Sequence, residues 1–150
     1  MLVVSDAPFD AGQELSAFET AAAGVGGIVS FTGLVRDVAS AGAVTSLYLQ
    51  AYSPLTENGI AAAIKAAQER WPLTAVKVIH RTGEMAPGDA IVFVATASTH
   101  RRAAFEAADF LMDYLKTEAV FWKKETTEAG ERWIEPRLED YEDRARWAKV

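Results

Sequence analysis

Cysteine is absent from the 150 residues, and His80 and His100 are the only histidines. The first absence removes disulfides, thiolate catalysis and cysteine-ligated zinc or iron–sulfur sites together. The second argues against a metal site built mainly on imidazoles, while carboxylate ligation stays open. The expectation is therefore no metal and no cofactor. Any sulfur chemistry would need sulfur brought from outside the chain. No apolar run approaches the roughly 20 residues of a membrane span. Met1 to Asp10 carries Asp6 and Asp10 without Lys or Arg, unlike the basic start of a secretory signal. A soluble, cytoplasmic protein is expected. Net positive charge is also missing: the formal charge of −6 argues against bulk binding to nucleic acid or anionic membrane but leaves room for a local anion pocket. There is no P-loop, no G-x-G-x-x-G before a helix and no G-x-S-x-G elbow. Gly24-Val-Gly-Gly27 precedes a strand, the wrong context for a nucleotide.

What is present is enough for a core. Half the residues are apolar, with four Trp, four Tyr and seven Phe, in a length that fits one domain, 1–150, with room for a small subdomain. Leu2 to Val4 is a short β start, and Asp10 caps a helix running through Ala22. Gly27 to Arg36 alternates as a strand, with Gly33 marking a bulge or a close backbone approach. Asp37 to Ala43 is a small-residue loop and Val44 to Tyr52 a second strand. Ser53-Pro54 opens a helix, Ser53 as cap and Pro54 in the first turn, which ends at Pro72. Val76 to His80 is a strand and Ala86 to Asp89 a turn. The near-continuous apolar run from Asp89 to Thr99 reads as a central strand buried on both faces. Ser98 or Thr99 can cap a helix from His100 to Thr117. Val120 to Glu125 is extended, Thr126 to Gly130 turns, and Glu131 to Ile134 returns as a hairpin. Asp140 to Lys149 is a short helix or packed tail. The order predicts an α+β fold with a mixed or largely antiparallel sheet packed by helices and a small β-hairpin subdomain.

The helix from His100 carries the chemical signal. At about 100° per residue, Ala104, Ala108, Leu111 and Leu115 form an apolar arc, and Arg102, Glu106, Asp109 and Asp113 a polar face. Asp109 and Asp113, one turn apart, read as a solvated face. Lys116 falls at about 160°, on the seam beside Met112 and Phe105. There a lysine can bury its stem and project its amine into a pocket, where desolvation would lower its pKa. Spacing alone favours a snorkelling surface lysine. His100 and Arg101 lie where strand becomes helix, a place that favours anions; a structural histidine fits His100 equally, while Arg101 reads as an anion fork rather than a solvated helix start. Arg102 pairs with Glu106 one turn on. Arg36 ends a strand before a loop, as a ligand group or an ordinary edge residue. Lys123 and Lys124 alternate, so only one faces a given pocket. Trp71 and Trp133 read as core.

The stretch His100-Arg-Arg-Ala-Ala-Phe-Glu-Ala-Ala-Asp-Phe-Leu-Met-Asp-Tyr-Leu-Lys116, followed by Phe121-Trp-Lys-Lys-Glu125, resembles the large, catalytic subunit of molybdopterin synthases, the MoaE family. Gly27 to Asp37, Ile79-His-Arg-Thr-Gly-Glu84 and Gly130 to Arg137 match in order and spacing, so the resemblance covers about residues 25–137. It implies a fold of α/β-hammerhead type and a sulfurtransferase. The donor is the C-terminal Gly-Gly thiocarboxylate of a small ubiquitin-like subunit of MoaD type. The acceptor is cyclic pyranopterin monophosphate, which becomes the dithiolene of molybdopterin in molybdenum cofactor biosynthesis. The large subunit forms a homodimer with a small subunit at each end, a heterotetramer. By resemblance Lys116 and Lys123 are catalytic. Phe31, Leu34, Val35, Arg36, His100, Arg101, Met112, Lys124, Glu125 and Arg137 bind substrate, Arg137 from the same or the facing subunit. An acid/base, electrostatic or acyl-accepting role for Lys116 all fit. Gln50 stands where relatives often carry an acidic residue. Two other readings compete: a non-catalytic docking module for a ubiquitin-like Gly-Gly tail, and a small phosphate-ester enzyme.

Overall fold

The computed structural model describes residues 1–40 and 42–148. Strand β1 (Leu2–Ser5) is followed by helix α1 (Ala11–Ala21), capped by Asp10, whose Oδ1 accepts from the Gln13 backbone N–H at 2.9 Å. Strand β2 (Gly27–Leu34) slips register between Gly33 and Leu34. A Cβ on Gly33 would come 2.7 Å from Val92 Cγ1, so both the bulge and the close approach are present. The predicted loop 37–43 contains a two-residue strand, β3 (Val38–Ala39), paired with the start of β4 (Gly42–Ala51); Ala41 lies outside the described residues.

Helix α2 runs over Leu55–Arg70. The expected serine cap is replaced. Pro54 holds the cap position and Ser53 Oγ donates instead to Glu57 Oε2 at 2.6 Å. The buried Thr56 hydroxyl accepts from Tyr52 N and donates to Val120 O, which ties this helix to the segment before the later lysines. Strands β5 (Leu73–Arg81), β6 (Gly83–Met85) and β7 (Ala90–Ser98) precede helix α3 (Arg101–Thr117). His100 is the residue before α3 and makes no side-chain cap; its N–H instead donates to Ser98 Oγ at 3.4 Å. A hairpin of β8 (Phe121–Thr127) and β9 (Gly130–Ile134), helix α4 (Leu138–Ala145) and a 3-10 turn (Arg146–Ala148) complete the chain, and Lys149 of the expected tail lies outside the described residues.

One sheet has the order β1-β5-β7-β2, with β1 parallel to β5 and the other pairs antiparallel. The second runs β3-β4-β8-β9, with β6 also on β4. This is the α+β fold with a mixed, mostly antiparallel sheet and a hairpin that the sequence predicts. Strand β7 is buried from Val92 to Ser98, between two partners and between two helical layers. On one face Val78 and Val94 meet Ile60 and Ile64 of α2 and Leu111 and Leu115 of α3. On the other, Ile79 and Phe93 meet Phe18 of α1. A third cluster, Val35, Leu47, Leu49 and Met85, fills the second sheet.

Two packing expectations are corrected. Trp71 is packed as expected, edge-on to Phe110 and Trp147 at 5.4 and 5.5 Å. Trp133, in contrast, is exposed, because it sits on the edge strand β9 and its cover is Trp122, 5.4 Å away and itself exposed. Asp113 is not solvated. The C-terminal turn folds back on it, so it is 8% exposed and accepts from Arg146 and the Trp147 indole. That buried carboxylate is held above its usual range, chiefly by burial.

Candidate active site

Arg36, Lys116 and Lys123 are the three residues common to three adjoining hollows. Each arrives from a different element: Arg36 just after β2, Lys116 from the last turn of α3, Lys123 from β8. The first hollow, about 170 Å³, is closed by the β9–α4 connection and α4, with Glu135, Arg137 and Asp140 on its wall. The second, about 130 Å³, has Leu34, Val35 and Glu125. The third, about 440 Å³, has Phe31, Leu34, Met112 and His80. The predicted residues Phe31, Leu34, Val35, Arg36, Met112, Lys116, Lys123, Glu125 and Arg137 are therefore gathered along one cleft.

The electrostatics differ from the expectation in one respect. Lys116 is exposed, and the desolvated amine belongs to Lys123. Burial first, then the neighbouring charge of Lys116, pushes Lys123 down to about 8, against the opposing pull of Asp140. The reason is architectural. Lys116 leaves the open end of a helix, whereas Lys123 rises from an inner strand paired with β4 and β9 and shares the first hollow with residues of α3 and α4. Asp140 is itself buried, accepts from the Arg137 backbone N–H at 2.9 Å, and is held below its usual range by Arg137 and Lys116, which outweigh its burial. Glu125 is buried and meets Arg132 Nε at 3.3 Å.

Three predicted residues lie elsewhere. Lys124 alternates to the opposite face of β8, where it meets Glu131 at 2.9 Å and the rings of Tyr48 and Trp133. His100 and Arg101 line a separate hollow with Arg102, Phe105 and Glu106, and Arg102 pairs with Glu106 at 3.7 Å as expected. They stand at the start of α3, and at 1.5 Å per residue His100 is about 24 Å from Lys116 along the axis. Sequence reasoning did not single out His80, Asp140, Glu135 or Tyr141 as cleft residues. His80 stood inside a matching motif but read as an ordinary strand residue, and the α4 residues carried no spacing signal.

The arrangement can bind an anion with Arg36 and Lys116 and move a proton at Lys123. Among the described residues no group of three or more His, Asp or Glu is gathered to hold a metal, and no helix is long and apolar enough to cross a membrane.

The family model "MoaE protein" matches residues 4–118. The chain belongs to the MoaE family. A molybdopterin synthase catalytic subunit of Pseudomonas aeruginosa is 46% identical over 144 residues, covering 96% of each chain. The solved molybdopterin biosynthesis MoaE protein of Burkholderia ambifaria superposes with a TM-score of 0.83 at 39% identity, covering 100% of this chain and 99% of that one. The crystal structure of molybdopterin synthase from Staphylococcus aureus gives 0.78 at 28% identity over 88% of this chain and 95% of that one.

Proposed function

We propose that this MoaE-family chain, as one domain over 1–150, is the catalytic subunit of a molybdopterin synthase. It takes sulfur from the C-terminal thiocarboxylate of a small ubiquitin-like subunit and passes it to cyclic pyranopterin monophosphate, twice, to form the dithiolene. The observation that carries the reading is the convergence of Arg36, Lys116 and Lys123 on one cleft, with one amine pushed down to about 8. Both reactants are anionic and need fixed cations in a site that limits water.

The geometry supports a role for each. Arg36 offers a planar fork to a phosphate or carboxylate. The exposed ammonium of Lys116 meets the incoming tail and offsets negative charge on its acyl oxygen. The thiocarboxylate sulfur bonds to an electrophilic carbon of the pterin precursor as a carbon–oxygen bond at that carbon breaks and the departing oxygen takes up a proton; the acyl carbon–sulfur bond then breaks. A water supplies the oxygen that leaves the tail as a carboxylate, and a proton goes to the released sulfur. Lys123, with about a tenth of its amine neutral at pH 7, is the group suited to take and return that proton. Phe31, Leu34 and Met112 form apolar walls.

His100 and Arg101 enter this reading through a second copy, because their distance from Lys116 exceeds the span of one small substrate. Hence the proposed assembly is a homodimer with a small subunit at each end, working in the cytoplasm. Reconstitution tests the reading: the chain, a thiocarboxylated small subunit and the cyclic precursor are mixed and dithiolene product is assayed. No product under conditions where an authentic synthase works overturns it. The rival docking-module reading is separated by Lys116→Ala. Loss of transfer with partner binding kept supports the enzyme, whereas loss of binding from a parent without activity supports the module.

A further inference from the structure

His80 belongs to β5 and is 3% exposed, yet it lines the same hollow as Lys116 and Lys123. By strand alternation it shares the face of Val76 and Val78, which pack toward α2 and α3. Its register partners are Val4 and Val92, both apolar. Two contacts fix the ring. Nδ1 stands 3.0 Å from the Arg81 carbonyl oxygen, which only accepts, so Nδ1 carries the proton. The ring also stacks on Phe121, with centroids 4.1 Å apart and planes at 25°. Phe121 is the first residue of β8, two before Lys123, and on the same side of the strand.

The ring is uncharged. Burial is the first cause, and the charges of Lys123 and Lys116 add to it, so that its pKa falls to about 3 despite the carbonyl contact. The charges acting on it are cations, Lys123 from β8 and Lys116 from α3; Arg36 from the end of β2 lines the same hollow, while Arg81, next in the strand, alternates to the other face and meets Asp89. In an uncharged ring protonated at Nδ1, Nε2 has the free lone pair. The charged side chains that line this hollow, Arg36, Lys116 and Lys123, are all donors, so an acceptor among them has a distinct use.

We propose that His80 is a positioning residue for Lys123. Its imidazole, tethered to the Arg81 carbonyl and clamped on Phe121, anchors the start of β8 and offers Nε2 as a hydrogen-bond acceptor to the lysine amine in the cleft. Lys123 makes the contact with the reacting atoms, and His80 acts through it. Its catalytic consequence rests on the synthase reading; the hydrogen bond between Nε2 and the Lys123 amine is tested without turnover.

The test has two arms. In the first, ring ¹⁵N resonances of His80 are recorded in the intact protein and in Lys123→Ala. The result expected is an Nδ1-protonated tautomer whose Nε2 signal moves when the amine is removed. An Nε2 signal indifferent to Lys123 overturns the proposal, whether or not any turnover is found. In the second, His80→Phe keeps a flat buried ring on Phe121 and removes both nitrogens, and His80→Gln restores an amide near the Nε2 position. His80→Phe is expected to bind the small subunit as wild type does, to lower kcat at least tenfold with little change in KM, and to shift the pH of half-maximal rate. His80→Gln is expected to recover part of that loss. A folded His80→Phe with the parent's kcat and pH profile also overturns the proposal. If wild type itself gives no product, the synthase reading fails and the ¹⁵N arm alone decides for His80.

Discussion

Asp113 accepts a hydrogen bond from the Trp147 indole at 2.7 Å, across 34 residues of sequence. Arg146 donates to the same oxygen at 2.9 Å and to Asp109 at 3.1 Å. This joint fastens the end of the chain to α3 one turn before Lys116, and between the joint and the hairpin lies α4, a wall of the lysine cleft. Trp147→Phe keeps a six-membered ring against Trp71 and Phe110 but loses the donor and part of the indole, so it is expected to destabilise by at least about 1 kcal/mol. Asp113→Ala strands the Trp147 indole in a part-buried place and leaves Arg146 only Asp109, and roughly 2–3 kcal/mol is expected. Thermal or urea unfolding measures both. Equal losses would show that the indole, not the carboxylate, holds the joint.

The like charges of the two lysines make a second prediction. Burial and Lys116 lower Lys123 to about 8, and Lys116→Ala removes the second cause. The apparent pKa of Lys123, read from the pH dependence of its acylation by an amine reagent, is expected to rise in that variant toward the ordinary lysine value of about 10.4. Lys123→Arg preserves the charge but cannot release a proton near neutral pH. It is expected to lose transfer about as severely as Lys123→Ala. Substantial turnover by Lys123→Arg would reassign Lys123 from proton transfer to charge stabilisation.

The frame of this site was legible in the sequence because its parts are local. The apolar run of β7, the amphipathic α3 and the strand–turn–strand of β8 and β9 each follow from periodicity. The positions of Lys116 and Lys123 on those elements follow too. What could not be read is set by long-range closure. Whether Lys116 or Lys123 is desolvated depends on β9 pairing beside β8 and on α4 closing the hollow that holds both lysines. Asp113 reads as surface until Trp147 folds back on it. Trp133 reads as core until the sheet ends at β9. His80 looks like any strand residue until Phe121, from the other sheet, stacks on it.

The separation of His100 and Arg101 from Lys116 predicts complementation between copies. Arg101→Ala and Lys116→Ala should each lose most sulfur transfer as purified homodimers. Mixed and allowed to exchange subunits, they should form hybrid dimers in which one of two sites is intact. At equal input, about a quarter of wild-type activity is expected. A mixture no more active than its parents would place both groups in sites of a single chain, or remove Arg101 from the site.

His80 also predicts how the fold responds to acid. Its pKa is near 3 when folded against 6.5 in the free side chain, so between those values the unfolded chain binds a proton that the folded chain refuses. Its contribution to stability is thus fully present above pH 6.5 and is lost as pH falls toward 3, by up to about 1.4 kcal/mol per pH unit. Lys123 and Lys116 act on the ring with positive charge and neither relieves this. Carboxylates such as Asp140, lowered by its own partners, add to the loss at the acid end of the window. His80→Phe should therefore show a flatter dependence of urea midpoint on pH between 6.5 and 4.5, where few carboxylates titrate. A slope in that interval as steep as wild type would mean that the imidazole is solvated on protonation, and that the packing of Phe121 over it opens readily.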